Sequence, residues 1–303
     1  GSAAESPLFN KAIQGVYELG STFKIFTVAQ ALELGLVDPK TKINTKGPIR
    51  IGGHKINDYR SNGPELPVWE VITESSNLGT ARIAKMIGPE KQREFLSSLG
   101  FSKPTTIEMI EANGGKPLLP KRWNELETMT ISYGHGLSAT PLHLATGYAT
   151  LANGGRLVNP TLLQEVKTVL GPRVISKEVA ENSLAMLRGV VTGGTASLAD
   201  VDGYFVGGKT GTADKPSSQG GYDKEKNITN FASIFPINEP KYVLIVTLDE
   251  AQDTSGPEPK RTAGWTAVPV SAEIIARVAP LLGLRPKFDN HSTIGITLSN
   301  WQE

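Results

Sequence analysis

Tyr17-Glu18-Leu19-Gly20-Ser21-Thr22-Phe23-Lys24, with the periodic segment that follows it, decides how this chain is read. Ile25, Val28, Ala29 and Leu32 fall at i, i+3, i+4 and i+7, the spacing of a buried helix face, and predict a helix over 22–36. Ser21 stands just ahead, after Gly20, in the N-cap position. A serine there has its hydroxyl beside unpaired backbone N–H groups and the positive end of the helix dipole, which favours negative charge developing on it. Lys24 lies three residues on, over the same face. An amine held next to a serine in a dry site accepts its proton when burial or a second cation disfavours the ammonium form. About one S-x-x-K is expected by chance in a chain of this length, so the pair needs further support.

Two more clusters supply it. Ser75-Ser76-Asn77 precedes a second apolar-periodic segment, 78–87. On a loop before a helix, Ser75 and Asn77 can face one cleft, the hydroxyl relaying protons and the amide fixing a substrate amide; a helix cap is the competing role. Further on, Tyr204-Phe205-Val206 predicts a strand running into Lys209-Thr210-Gly211-Thr212. Alternation puts Lys209 and Gly211 on one side and Thr210 and Thr212 on the other. Gly211 lets a ligand come close to the main chain, and the cation with its neighbouring hydroxyls suits a carboxylate.

Outward from these motifs, Ile49, Ile51 and Ile56 alternate around Gly52-Gly53, a small hairpin within 45–60. The pattern is helical over 67–165 and again over 177–192. Residues 214–230 are polar and rich in Gly and Ser, and are expected to form a mobile, exposed loop, either a plain surface loop or a lid over the acceptor side of the cleft beside Lys209. Two antiparallel strands are expected at 231–235 and 242–248, then a last helix over 267–282. The fold class expected is α/β (α+β): an antiparallel sheet flanked by helices, plus a mostly helical subdomain.

Composition excludes several chemistries. With 303 residues and 39% hydrophobic content the chain can bury a full core, and its net charge of +1 gives no reason to expect nucleic acid as a partner. The absence of cysteine rules out disulfides, thiolate zinc sites and cysteine nucleophiles. His54, His135, His143 and His291 make no recognised metal spacing, so neither a metal nor a cofactor is expected. No run approaches the roughly 18 apolar residues of a membrane span, and the chain as it stands reads as soluble. His135 is expected to be a hydrogen-bonded structural histidine.

S-x-x-K, S-x-N and K-T-G each occur once, in that order. Together they resemble the motif set of the penicillin-binding proteins and serine β-lactamases. Glu74-Ser75-Ser76-Asn77, Ile131-Ser132-Tyr133-Gly134-His135-Gly136-Leu137 and Gly264-Trp265-Thr266-Ala267-Val268-Pro269-Val270 narrow the resemblance to class B, division-specific, FtsI-type transpeptidases. The resemblance implies a transpeptidase domain over 1–285 and a tail of unknown role over 286–303. Such domains begin some tens of residues earlier, with strands that complete the sheet, so the resemblance implies either that those strands lie upstream with a membrane anchor and a non-catalytic module, or that they are rearranged here.

The resemblance also implies roles. Ser21 is the nucleophile toward the penultimate D-Ala carbonyl of a peptidoglycan stem peptide, Lys24 its base, and Lys209 the second cation. Ser75 passes the proton on, and Asn77 holds the acyl chain's amide. Backbone N–H groups of Ser21 and Thr212 form the oxyanion hole. Lys209, Thr210 and Thr212 receive the terminal carboxylate, with Gly211 leaving room. β-Lactam antibiotics are the implied inhibitors, and an FtsW-type glycosyltransferase and other division proteins the implied partners, on the periplasmic side of the inner membrane. A β-lactam sensor or inactive scaffold and a serine β-lactamase are the alternatives on the same fold. Gly203 to Thr210 also satisfies G-x-x-x-x-G-K-[ST], but no helix pattern follows it, as a phosphate-binding loop requires.

Overall fold

Helix α1 (Lys24–Glu33) is buried continuously from Lys24 to Ala31, so it is packed around its whole circumference rather than along one stripe. The computed structural model that shows this describes residues 6–164, 171–217, 220–288, 298 and 301. Around α1 lie α2 (Val68–Thr73), α3 (Asn77–Ile87), α4 (Pro89–Ser98), α5 (Glu125–Ser132) and α7 (Lys177–Thr192), with α6 (Pro141–Ala152) following α5 in the chain. An aromatic cluster fixes the start of α1. Phe23 and Phe26 pack on Phe101 with ring centroids 4.9 and 5.4 Å away, and Tyr148 meets Phe26 edge-on at 5.6 Å.

Two small antiparallel ladders decorate this helical part. β1 (Lys42–Asn44) pairs with β4 (Glu65–Pro67), and β2 (Ile49–Ile51) pairs with β3 (His54–Ile56) about the expected Gly52-Gly53 turn. The helical pattern expected over 67–165 is interrupted between α4 and α5, where only a short 3-10 turn (Ile110–Gly114) forms. Pro104, Gly114, Gly115, Pro117 and Pro120 crowd that stretch and stop a helix.

The larger sheet has the order β5 (Gly207–Pro216), β6 (Tyr222–Phe235), β7 (Tyr242–Asp249), all antiparallel. Helices α6, α7 and α8 (Ala267–Leu281) pack on it. Every residue of β6 from Asn227 to Phe235 is buried, so both faces of the sheet are covered.

Three expectations are corrected here. Residues 214–216 and 222–230 are strand and not loop: β5 runs on to Pro216 and β6 starts at Tyr222, the two paired antiparallel with a register shift between Asp214 and Lys215. Polar residues disguise the strand, yet in the fold each of three buried ones makes a side-chain hydrogen bond inside it, although Asn227 Oδ1 and Asn230 Nδ2 are left without a partner among the described residues. Thr247 Oγ1 donates to Asn230 Oδ1 (2.7 Å), Thr266 Oγ1 to Thr229 Oγ1 (3.0 Å), and Asn227 Nδ2 to Arg261 O (3.1 Å). Second, β5 begins at Gly207 and not at Tyr204, because Phe205 sits at φ +45° in a turn. Third, Ser21 does not cap α1: it lies inside a 3-10 turn (Gly20–Phe23) that leads into the helix, and Thr22 Oγ1 donates to Leu19 O (2.8 Å).

Candidate active site

The 3-10 turn places Ser21 and Lys24 in register, because side chains three apart eclipse in that geometry. Two contacts hold the turn. Tyr148 OH donates to Thr22 O (2.9 Å), and Gly20 N donates to Gly134 O (3.2 Å). Gly134 must be glycine, since it sits at φ +85° and a Cβ there would lie 2.0 Å from Gly20 O. From the other side β5 presses in at Gly211, where a Cβ would lie 2.4 Å from Leu19 O. The backbone around Ser21 is thus wedged between β5 and the turn after α5.

Lys24 and Lys209 are both fully buried and both reach Ser75. Lys24 Nζ donates to Ser75 Oγ (3.0 Å) and also to Ser75 O; Lys209 Nζ donates to Ser75 Oγ (2.9 Å) and to Thr210 O (3.2 Å). Among the described residues, none of the Lys24 hydrogen bonds goes to Ser21. Burial, then the charge of Lys209, holds the Lys24 ammonium well below its usual range, while Asp58 works in the opposite sense. Burial brings Lys209 down to about 7. Two amines are therefore poised to exchange protons through one hydroxyl.

Ser75 itself holds φ +58°, a left-handed conformation that is strained for a serine. Its neighbour Ser76 takes the capping role, accepting from Gly79 N (2.9 Å) at the start of α3 and leaving Ser75 free for the cleft. Asn77 is the first residue of α3, and its amide donates to Asn57 O (2.9 Å).

A family model described as "Penicillin binding protein transpeptidase domain" matches residues 2–275. The chain belongs to that family. The transpeptidase domain is 34% identical over 299 residues to the probable peptidoglycan D,D-transpeptidase FtsI of Caulobacter vibrioides, covering 95% of this chain and 50% of that protein. It thus spans about half the length of that relative. Among solved structures it is similar to the apo transpeptidase domain of Burkholderia pseudomallei penicillin-binding protein 3, with TM-score 0.83, 34% identity, and 92% of this chain and 84% of that one covered. Penicillin-binding protein 3 of Mycobacterium tuberculosis, solved in complex with aztreonam, matches with TM-score 0.80 and 27% identity, covering 93% of this chain and 66% of that one.

On β5 the alternation expected from sequence holds. Thr210 Oγ1 pairs with Thr195 Oγ1 (2.8 Å), and Thr212 Oγ1 accepts from Ala263 N (3.1 Å). Thr212 N is also close to the nucleophile turn, 3.1 Å from where a Cβ on Gly20 would sit. The structure of the transpeptidase domain therefore brings Ser21, Lys24, Ser75, Lys209 and the Thr210–Thr212 strand to one locus.

Three contributors escaped the sequence reading. Asp58 and Thr195 lie in Asn- and Gly-rich turns, where acids and hydroxyls ordinarily serve the local backbone. Glu18 accepts from Gly136 N (2.7 Å) and from Tyr222 OH (3.1 Å), which ties the tip of the β5–β6 hairpin to the segment ahead of Ser21. The expected lid is therefore a docked hairpin. His135 packs between Tyr133 and Tyr222, centroids 5.3 and 5.8 Å away, and its Nδ1 is buried with no hydrogen-bond partner among the described residues.

Proposed function

We propose that this chain is the catalytic domain of a peptidoglycan D,D-transpeptidase working through a Ser21 acyl-enzyme. The observation that carries the reading is the convergence of two buried, proton-poor lysines on Ser75 Oγ, beside a serine one turn ahead of Lys24. Neutral Lys24 takes the Ser21 proton as Oγ attacks the penultimate D-Ala carbonyl of a stem peptide. Backbone N–H groups of Ser21 and Thr212 receive the developing oxyanion, a contribution worth about 3 kcal/mol per donor. The proton passes by Ser75, with Lys209 supporting the relay, to the leaving D-Ala amine as the C–N bond breaks, leaving an ester on Ser21. An amine of a neighbouring stem peptide then attacks the ester, forming the cross-linking amide and returning the proton to Ser21. Asn77 holds the acyl chain, and Lys209, Thr210 and Thr212 hold the terminal carboxylate, while Gly211, expected to leave room for a ligand, instead lets β5 close against the turn that carries Ser21.

β-Lactams enter the same path and stall at the ester. The catalytic unit runs to residue 285, with 286–303 an appended tail. The relatives' FtsI name supports a role in septal wall synthesis, with the parent protein anchored in the inner membrane, this domain on the periplasmic side, and an FtsW-type glycosyltransferase and other division proteins alongside.

The test is intact-protein mass during incubation with a penicillin, for the native chain and Ser21→Ala. A single adduct lasting hours, absent from the variant, is expected. Rapid loss of the adduct would make the chain a β-lactamase instead, and an adduct retained by Ser21→Ala would overturn the nucleophile.

A further inference from the structure

The serine that both lysines address is held in place from outside the cleft. Three consecutive residues, Ser76 to Leu78, bond to two consecutive residues of the turn after β3. Ser76 Oγ donates to Asp58 Oδ2 (2.7 Å), Leu78 N donates to Asp58 Oδ1 (2.9 Å), and Asn77 Nδ2 donates to Asn57 O (2.9 Å). Asp58 is half-buried and its two carboxylate oxygens serve two different donors, one of them the backbone of α3. A carboxylate accepting from backbone N–H at a helix start is a charge-assisted contact, stronger than a neutral pair.

Position decides what this contact is for. Ser75 immediately precedes the clamped residues and is the only one of the run Glu74 to Asn77 with a positive φ. A left-handed serine costs about 1–3 kcal/mol and persists only where its surroundings over-determine it. Upstream, Ser75 N and Ser76 N donate to Ile72 O (3.2 Å) and Val71 O (3.0 Å) at the end of α2. Downstream, α3 holds Ser76 through Gly79 N (2.9 Å to Oγ) and Thr80 N (3.2 Å to O), and the Asp58 clamp ties that start of the helix to the turn after β3. Without the clamp, the helix start carrying the Ser75 peptide can shift and take Oγ away from the two lysine nitrogens.

We propose, on the acyl-enzyme reading above, that Asp58 is a positioning residue for the proton relay: its carboxylate fixes the Ser75 turn between Lys24 and Lys209 and supplies the counter-charge on their side of the cleft. It touches neither substrate nor the reacting atoms. The titratable and charged groups around the relay, besides Asp58, are Lys209 from β5, Lys24 from α1, His135 from the turn after α5, whose ring burial favours as neutral, and Arg82 from α3, whose guanidinium donates to Asn44 O (2.6 Å) and Lys46 O. Of the acids, it is Asp58 that acts on Lys24, and it raises the Lys24 ammonium's affinity for its proton.

The experiment measures the rate of acylation by a penicillin across pH, by intact mass, for the native chain, Asp58→Asn and Asp58→Glu, with melting temperatures recorded alongside. Asp58→Asn is expected to acylate about ten- to a hundredfold more slowly, the range that small misplacements of a catalytic group produce. The rise of its rate with pH should begin at lower pH, because Lys24 has lost the charge that held its proton. Asp58→Glu keeps the charge and moves it, so the rate falls while the pH profile stays in place. A native rate and profile in Asp58→Asn overturns the proposal. So does a drop in melting temperature with both left native, which is what a merely structural bracket gives. If Asp58→Asn does not fold, a native rate in Asp58→Glu overturns it equally. Failure of the native chain to acylate at all sinks the acyl-enzyme reading and this proposal with it, whereas the outcomes above leave that reading standing.

Discussion

Lys24 and Lys209 meet on one oxygen: their ammonium nitrogens lie 3.0 and 2.9 Å from Ser75 Oγ, on side chains with no exposed surface. Burial first, and then the charge of Lys209, drives the Lys24 proton off. If Lys24 is the base, acylation rises with pH as Lys24 becomes neutral. Lys209→Gln removes the neighbouring charge and lets Lys24 hold its proton longer, so the rise moves to higher pH. At neutral pH the rate should fall about a hundredfold, the low end of what a general acid–base group contributes. Acylation rates measured between pH 6 and about 10, the ordinary lysine range, check both the direction and the size. An unmoved profile would mean that the two lysines titrate independently.

The same burial has a cost that should be visible in stability. Lys209 titrates near 7 in the folded protein against 10.5 for a free side chain. Between those values the unfolded chain carries a proton that the folded chain does not, so stability rises with pH across that window and is lowest below it. Tyr133 and Tyr222, whose hydroxyls are raised by burial, act oppositely once free tyrosine ionises near 10. The melting temperature should therefore climb from about pH 7 to about 10 and then turn down. Lys209→Met should be more stable than the native chain at neutral pH and should show a flatter slope. A native slope in that variant would show that Lys209 remains protonated at neutral pH.

Much of this was legible in the sequence, and the rest was hidden for physical reasons. α7 and the Gly52-Gly53 turn between β2 and β3 fall where their local patterns place them, because a helix cap and a glycine turn are signals carried by neighbouring residues. The beginning of β6 does not. Asn227, Thr229 and Asn230 are buried by side-chain hydrogen bonds to residues that lie 17 to 37 positions away, and no local pattern encodes that. The site motifs were legible because their spacing is covalent: Lys24 is three residues from Ser21 whatever the fold does. Asp58, Thr195 and Tyr148 act across the molecule, each on a single hydrogen bond or two, and only the packed structure reveals them.

Gly134→Ala tests the wedge behind the nucleophile. Its Cβ would sit 2.0 Å from a backbone oxygen of Gly20, in a conformation that L side chains rarely adopt. Backbone atoms cannot step aside as a flexible side chain can, so the turn carrying Ser21 must move. A loss of about 2–4 kcal/mol of stability is expected, together with near-complete loss of the penicillin adduct. Gly35→Ala is the control, because it has the same sign of φ (+63°) but nothing within 4 Å of the new Cβ. It should lose only about 1 kcal/mol and acylate normally. Denaturant unfolding and intact mass on both variants separate backbone strain from displacement of Ser21.

Thr195→Val addresses binding rather than the chemical step. Thr195 Oγ1 lies 2.8 Å from Thr210 Oγ1 and so directs the hydroxyl of a residue proposed to receive the substrate carboxylate. Valine keeps the shape and removes the partner, leaving the Thr210 hydroxyl free to turn away from the cleft. The loss of one neutral hydrogen bond is worth about 1 kcal/mol, or about fivefold in affinity. The concentration of penicillin giving half-maximal acylation rate should rise by that factor, with the maximal rate unchanged. This is the reverse of the Lys209→Gln pattern, in which the maximal rate falls. If Thr195→Val instead lowered the maximal rate with no change in half-saturation, Thr210 would belong to the proton relay on the Ser75 side of β5 and not to the carboxylate pocket.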